Sequence, residues 1–174
     1  MGKYESPNYK VLTKDGNFEV REYSDFYVIE YDNDFDLEIN QGFGTLFNYI
    51  SSDNEDRMKI SMTVPVIEEV TGDKKKMAFV VPAQFGEDIP KPNSSHLSVK
   101  KFDQGIFATI TYSGFTNNTK EEKMKSNLEN WLVEKGYTGQ SNYMLAQYNP
   151  PFVPPMFRKN EIIIRIKKKG DHYE

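Results

Sequence analysis

The chain has 174 residues, of which 37% are hydrophobic and 28% are charged, and its formal net charge is −4. This length suits one domain with a sizeable core, and the composition is that of an ordinary globular protein. The negative charge and the lack of a continuous Lys/Arg stripe argue against a nucleic-acid partner. The absence of cysteine excludes disulfides and thiolate metal ligands. Because no apolar run approaches membrane-spanning length, we expect a cytoplasmic protein without a membrane span.

The first half of the chain alternates strand-like and helix-like patterns. Residues 18–32 (FEVREYSDFYVIEYD) are rich in β-branched and aromatic residues around a turn signal, which predicts a strand or a bent strand pair. A helix with one apolar stripe is predicted next, and the stripe consists of Ile39, Phe43, Leu46, Phe47 and Ile50. The segments MKISMTVPVIEEV and KKKMAFVVPAQF, joined by a turn at residues 72–73, predict a β-hairpin.

The second half repeats this order. Residues 97–115 again predict strand, turn and strand, and a capping box from Thr119 to Glu122 predicts the start of a second helix that ends before Gly136. SNYMLAQYNP and NEIIIRIKKK predict two final strands. The chain therefore divides into pseudo-repeats at about 9–90 and 97–168. Together they predict one α+β domain, with a largely antiparallel sheet, curved or closed, and two helices.

Four prolines fall within residues 150–155, directly before the most strand-like run of the chain. Proline donates no backbone hydrogen bond, so this stretch cannot pair as a central strand. It carries apolar side chains nevertheless, namely Phe152, Val153, Met156 and Phe157. We interpret it as a stiff connection between the last two strands, which either caps the sheet or lies against a ligand.

Few residues are candidates for chemistry. His96 and His172 lack partners at metal-ligand spacing, so we expect both at the surface and no protein-bound metal. Glu22 alternates with Phe18 and Val20, which predicts a carboxylate at the inner end of a strand face, either ion-paired or functional. Met62 either fills an irregular apolar gap or offers sulfur to iron, and gap filling is the commoner role.

Several segments occur here in the order and spacing of one known family. FEVREY, GFGTLFNYI, MKISMTVPV and YNPPFVPPMFRKNEI together resemble the SOUL haem-binding protein family, from about residue 9 to residue 168. The resemblance implies two repeated βαββ-like units that form a distorted eight-stranded antiparallel β-barrel with two flanking helices. That fold is similar to the effector-binding domains of multidrug regulators.

The resemblance also implies a tetrapyrrole site, in an apolar slot between the first helix and the Pro-rich loop 149–157. Carried over by position, the cofactor-binding residues are Phe43, Leu46, Phe47, Ile50, Met62, Phe152, Val153, Met156 and Arg158. One member of the family has a histidine, proposed as an axial ligand, where this chain has Glu22. Other members place basic residues near the haem propionates at positions that are Asn40, Asn48 and Val153 here. Lys59, Arg158 and Lys159 are the basic residues that can replace them.

We therefore expect a non-catalytic haem or tetrapyrrole carrier or buffer that binds haem, or another flat apolar molecule, weakly and without an axial protein ligand. Two alternatives stay open at this point. One is a small-molecule effector-binding or hydrolase-like pocket with Glu22 as its central carboxylate. The other is a protein-interaction module formed by the helix stripe and the Pro-rich loop.

Overall fold

A computed structural model describes residues 4–32, 41–71, 74–149 and 153–170 of the chain. In chain order the strands are β1 (Tyr9–Asp15), β2 (Phe18–Tyr23), β3 (Phe26–Asp32), β4 (Val66–Thr71), β5 (Lys74–Val80), β6 (Leu97–Phe102), β7 (Gly105–Ser113), β8 (Tyr137–Gly139), β9 (Met144–Gln147) and β10 (Lys159–Lys168). The helices are α1 (Gln41–Ser51) and α2 (Asn118–Lys135). The chain divides into two compact units, which are residues 1–7 with 25–103 and residues 8–24 with 104–174.

The unit of residues 1–7 and 25–103 is a four-stranded antiparallel sheet with α1 packed on it. Its strand order is β4-β5-β3-β6, and β4 and β5 form the predicted hairpin. Helix α1 packs against β3 and β5 through Leu46 and Tyr49, neither of which has exposed surface. A Cβ added at Gly42 would lie 3.1 Å from the ring of Tyr31, so this glycine permits the close approach of α1 to β3.

The unit of residues 8–24 and 104–174 has the same plan with two additional strands. Its strand order is β1-β2-β7-β10-β9, and β8 also pairs with β10. Helix α2 buries Met124, Leu128, Trp131 and Leu132 against this sheet. The indole of Trp131 stacks on Phe18 at 5.0 Å, and its Nε1 donates a hydrogen bond to Asp15 Oδ2 at 2.9 Å.

The pairing of strands corrects one expectation from the sequence. Within residues 18–32, β2 does not pair with β3, and within residues 97–115, β6 does not pair with β7. Instead β2 pairs with β1 and β7, and β3 pairs with β5 and β6. Each repeat of strand, helix, strand and strand therefore takes its additional strand from the segment that precedes the other repeat. A turn signal marks where a strand ends, but it does not decide which strand lies beside it.

The start of α2 is also corrected. Thr119 is not the N-cap; the helix begins two residues earlier, where the Asn117 side chain accepts a hydrogen bond from the backbone N of Lys120 at 2.9 Å. Asparagine caps helices at least as well as threonine, which explains the preference. The helix ends as predicted, at Gly136 in the left-handed conformation with φ of 80°.

The α+β class, with two repeated βαββ-like units and two helices, is confirmed. The described residues form ten strands rather than eight, because β1 and the short β8 add to the strands of the unit of residues 8–24 and 104–174. Within the described parts of the chain, neither α1 nor α2 has the length and apolar character of a membrane-crossing helix.

Candidate functional site

The outward side of α1 carries two exposed and nearly parallel aromatic rings. Phe43 and Phe47 lie about one helical turn apart, with ring centroids separated by 6.1 Å and an angle of 17° between the ring planes. They are 43% and 49% exposed. The ring of Phe43 makes an edge contact with Phe79 of β5 at 5.4 Å, so the sheet supports it. We call Phe43 and Phe47 the α1 aromatic face.

The inward side of α1 explains why these two rings stay at the surface. Leu46 has no exposed area and Ile50 is buried, so both belong to the core of their unit. The hydroxyl of Tyr49 donates to the backbone oxygen of Pro90 at 2.6 Å, and burial raises the pKa of Tyr49 to about 12. Four residues of this helix were predicted to contact the ligand. Leu46 and Ile50 therefore support the α1 aromatic face from beneath, and Phe43 and Phe47 form it.

The Pro-rich loop presents apolar surface in the other unit. Met156 and Phe157 are 74% and 69% exposed. Val153 and Arg158 are half-buried, and Arg158 Nε donates to the backbone oxygen of Val153 at 2.7 Å. Phe152, which was also predicted to contact the ligand, lies outside the described residues. Of the four loop residues predicted to contact the ligand, the structure therefore describes three, namely Val153, Met156 and Arg158.

Hydrogen bonds fix both ends of this loop. The Asn149 side chain accepts from the backbone N of Lys159 at 2.6 Å. The Tyr148 hydroxyl donates to Glu161 Oε1 at 2.7 Å, which joins the residue before the prolines to the strand after them. The exposed apolar residues of the loop therefore stand on an anchored base.

Glu161 is a fully buried carboxylate in this unit. It accepts two hydrogen bonds from the guanidinium of Arg21, which is itself 1% exposed. The Thr111 hydroxyl donates a further bond at 2.9 Å. Burial alone would raise the pKa of Glu161, but the hydrogen bonds and charge of Arg21, with the Tyr148 hydroxyl, hold that pKa below its usual value. The carboxylate is therefore charged and satisfied by its own chain.

The expectation that Glu22 lies at the inner end of a strand face is wrong. Glu22 is exposed, so it is not a central carboxylate of any pocket. Val20 does pack into the core under α2, as expected for its face of β2. Arg21 and Tyr23, on the opposite face, are buried as well. Because β2 is covered on both faces, the alternation of its side chains does not identify one inner face. The charged residue that is buried is Arg21, the neighbour of Glu22.

Sequence reasoning missed the pairing of Arg21 with Glu161. A charged residue within a strand-forming run is almost never fully buried unless it is paired. Two such residues of opposite sign, one in FEVREY and one in NEIIIRI, were the available signal. The same cluster contains Tyr23, whose hydroxyl accepts a hydrogen bond from Arg21 at 3.0 Å and whose pKa burial raises to about 12.

The described residues contain no group of three or more His, Cys, Asp or Glu side chains placed to hold a metal ion. His96 is exposed, and its ring centroid lies 5.8 Å from that of Tyr31. His172 lies outside the described residues. Met62 is half-buried and packs against the core beside α1, which agrees with a gap-filling role.

Solved structures define the class to which this fold belongs. The chain is similar to the crystal structure of the EcmrR C-terminal domain, with a TM-score of 0.63 at 12% identity over 92% of this chain and 98% of that one. It is also similar to a hydrolase from Listeria innocua, with a TM-score of 0.58 at 10% identity over 90% and 94% of the two chains. The fold is that of effector-binding domains. At such low identity, the likeness shows the fold alone.

Sequence comparison gives the family. The model of the SOUL heme-binding protein family matches residues 4–165, so the chain belongs to this family. It is 28% identical over 158 residues to heme-binding protein 2 of Homo sapiens, covering 84% of this chain and 77% of the human protein. It is 27% identical over 137 residues to heme-binding protein 2 of Mus musculus, covering 74% of this chain and 66% of the mouse protein, just under two thirds of its length.

Proposed function

We propose that the protein binds haem or a related tetrapyrrole without catalysing a reaction, as a carrier or buffer, and that the α1 aromatic face contacts the macrocycle. One observation carries the proposal: Phe43 and Phe47 hold parallel rings at the surface of a chain that belongs to a haem-binding family. Neighbouring exposed aromatic side chains mark binding surfaces more often than isolated ones do. A flat macrocycle stacks on such rings and buries them.

The chemistry of the α1 aromatic face fits the ring of a tetrapyrrole better than it fits the iron. Phe43 and Phe47 offer apolar area and no metal ligand, while Met62 is half-buried and packs against the core beside α1. Lys59 is exposed shortly after α1 and is our candidate for a propionate partner. Haem supplies redox-active iron when bound; the chain supplies apolar contact. We infer binding without an axial protein ligand.

The Pro-rich loop is a second candidate contact and is tested separately. Its exposed residue Met156 is large, flexible and polarisable, which suits an apolar ligand. Val153 and Arg158 belong to the same proposal. The fixed ends of the loop favour binding, because little backbone freedom is lost when a ligand is captured by an anchored segment.

Titration with hemin, followed by the Soret band, tests the α1 aromatic face. We predict that Phe47→Asp weakens hemin binding by about tenfold or more, because burial of one aromatic ring contributes about 1.5–3 kcal/mol. Val133→Asp is the matched control, since Val133 is 75% exposed on α2 and a charge there should not affect binding. Met156→Asp tests the loop in the same assay. Equal Soret changes in wild type and Phe47→Asp would contradict the proposal.

The sequence raises two alternative functions. The exposure of Glu22 argues against a pocket in which it is the central carboxylate. A protein-interaction module stays an alternative, because the exposed residues Phe43, Phe47 and Met156 also suit a protein partner. Light scattering over a concentration series tests it: self-association that Phe47→Asp abolishes, without any hemin binding in wild type, would favour the interaction module. The single SOUL-like domain and the cytoplasmic location stay predictions.

A further inference from the structure

A cleft lies in the unit of residues 8–24 and 104–174. Its volume is about 460 Å³, within the roughly 300–1,000 Å³ typical of small-molecule sites. It lies where β7 begins and β10 ends. It is lined by Leu12, Val20, Gly105, Ile106, Tyr137, Gln140, Arg165, Ile166, Lys167 and Lys168. None of the residues that were predicted to contact a tetrapyrrole is among them.

The floor of the cleft is apolar. Ile106 shares one face of β7 with Ala108 and Ile110, which are buried in the core under α2. Ile106 itself is 37% exposed, and Leu12 on β1 is 45% exposed. Ile166 on β10 is buried at the edge of the same core. The core under α2 thus continues into the cleft, where part of its apolar surface is left open.

The rim of the cleft is cationic. Arg165 is held in place, since its Nη1 donates to the backbone oxygen of Gln104 at 3.2 Å and its guanidinium lies 4.5 Å from the ring centroid of Phe107. Lys167 and Lys168 are exposed and make no ion pair with any residue that the structure describes. No acidic side chain is among the described residues that line the cleft.

We propose that this cleft binds an amphiphilic anion, namely a fatty carboxylate, with its chain on the apolar floor and its head group near Lys168, which shares the face of β10 that carries Ile166. The apolar floor requires an apolar chain, because a small free anion would leave Leu12 and Ile106 in water. Lys168, which makes no ion pair with any described residue, favours a negative head group over a neutral or positive one. This site is separate from the α1 aromatic face and does not depend on haem binding.

Calorimetric titration with decanoate, below the concentration at which it forms micelles, tests the inference. Decanol is the matched uncharged probe, and we expect it to bind about three- to tenfold more weakly, since each exposed charge contributes modestly. The double variant Lys167→Gln/Lys168→Gln should weaken decanoate by a similar factor and leave decanol unchanged. Lys123→Gln is the control, because Lys123 is exposed on α2 outside the cleft.

Ile106→Glu tests the apolar floor, and we expect it to abolish decanoate binding. Because Ile106 is partly exposed, the variant should fold, and circular dichroism checks this. Val133→Glu is its control and should bind decanoate as wild type does. Hemin titration of Ile106→Glu should match wild type, which separates the two sites. Equal binding of decanoate and decanol, unchanged decanoate binding in Ile106→Glu, or displacement of decanoate by hemin would overturn the inference.

Discussion

At the scale of single residues, the buried pair of Arg21 and Glu161 is a structural anchor. The carboxylate accepts from Arg21, Thr111 and Tyr148, so it needs no cationic ligand to balance its charge. Transfer of either charge from water into the interior alone would cost several kcal/mol, and the pair offsets that cost by mutual attraction and hydrogen bonding. Because Tyr148 precedes the prolines and Glu161 follows them, the same cluster fixes the base of the Pro-rich loop.

This pair gives the protein a predictable response to acid. The pKa of Glu161 is lowered in the folded state, so its contribution to stability is present above its usual value of 4.5 and is lost as pH falls through the folded pKa. We predict that the free energy of unfolding declines below about pH 4.5, with a contribution from Glu161 of at most about 1.4 kcal/mol per pH unit. Urea unfolding at several pH values measures it.

The double variant Arg21→Met/Glu161→Leu is the comparison for this response. Apolar replacement of both partners avoids leaving one buried charge unpaired, so the variant should fold. Its unfolding free energy should depend less steeply on pH than that of wild type in the acid range. The same acid dependence in both proteins would show that Glu161 does not titrate as described.

Residue-scale prediction from the sequence failed where two strand faces are both buried. Glu22 was expected inside because it alternates with Phe18 and Val20, yet Arg21 is the buried neighbour. Alternation distinguishes the two faces of a strand but not how deeply each is covered. The coverage depends on partners that are remote in sequence, and Glu161 is 140 positions away from Arg21.

At the scale of elements, α1 shows what an apolar stripe can and cannot reveal. The stripe predicted both the helix and its apolar side. It did not separate Leu46, which is fully buried, from Phe47, which is 49% exposed. That difference depends on which part of the stripe meets β3 and β5. A stripe wider than its contact with the sheet leaves apolar surface exposed.

The start of α2 provides a test at the same scale. We predict that Asn117→Ala lowers the free energy of unfolding by about 1 kcal/mol, because the backbone N of Lys120 loses its side-chain acceptor. Thr119→Ala should change it by no more than about 0.5 kcal/mol, since Thr119 lies within the helix and is exposed. Denaturant unfolding compares the two, and a larger loss in Thr119→Ala would restore the capping box predicted from the sequence.

At the scale of the whole molecule, the repeated order of strands and helices could be predicted because it follows from local periodicity. The chain shares its fold with the EcmrR C-terminal domain at 12% identity, so the fold depends on the pattern of apolar residues more than on their identities. The exchange of β2 and β6 between the repeats could not be predicted. In the sequence, β2 directly precedes β3 and β6 directly precedes β7. In the structure, β2 pairs with β7 and β6 pairs with β3, and pairing between strands so far apart in sequence leaves no local signal.

The central claim is that the α1 aromatic face binds the tetrapyrrole ring by apolar stacking, with no bond from the protein to iron. The most direct measurement compares the affinity of wild type for hemin with its affinity for metal-free protoporphyrin, by quenching of intrinsic fluorescence. We predict dissociation constants within about threefold of each other, since the same ring is buried in both cases. Hemin bound about a hundredfold more tightly than the metal-free ring, or no binding of either, would contradict the claim.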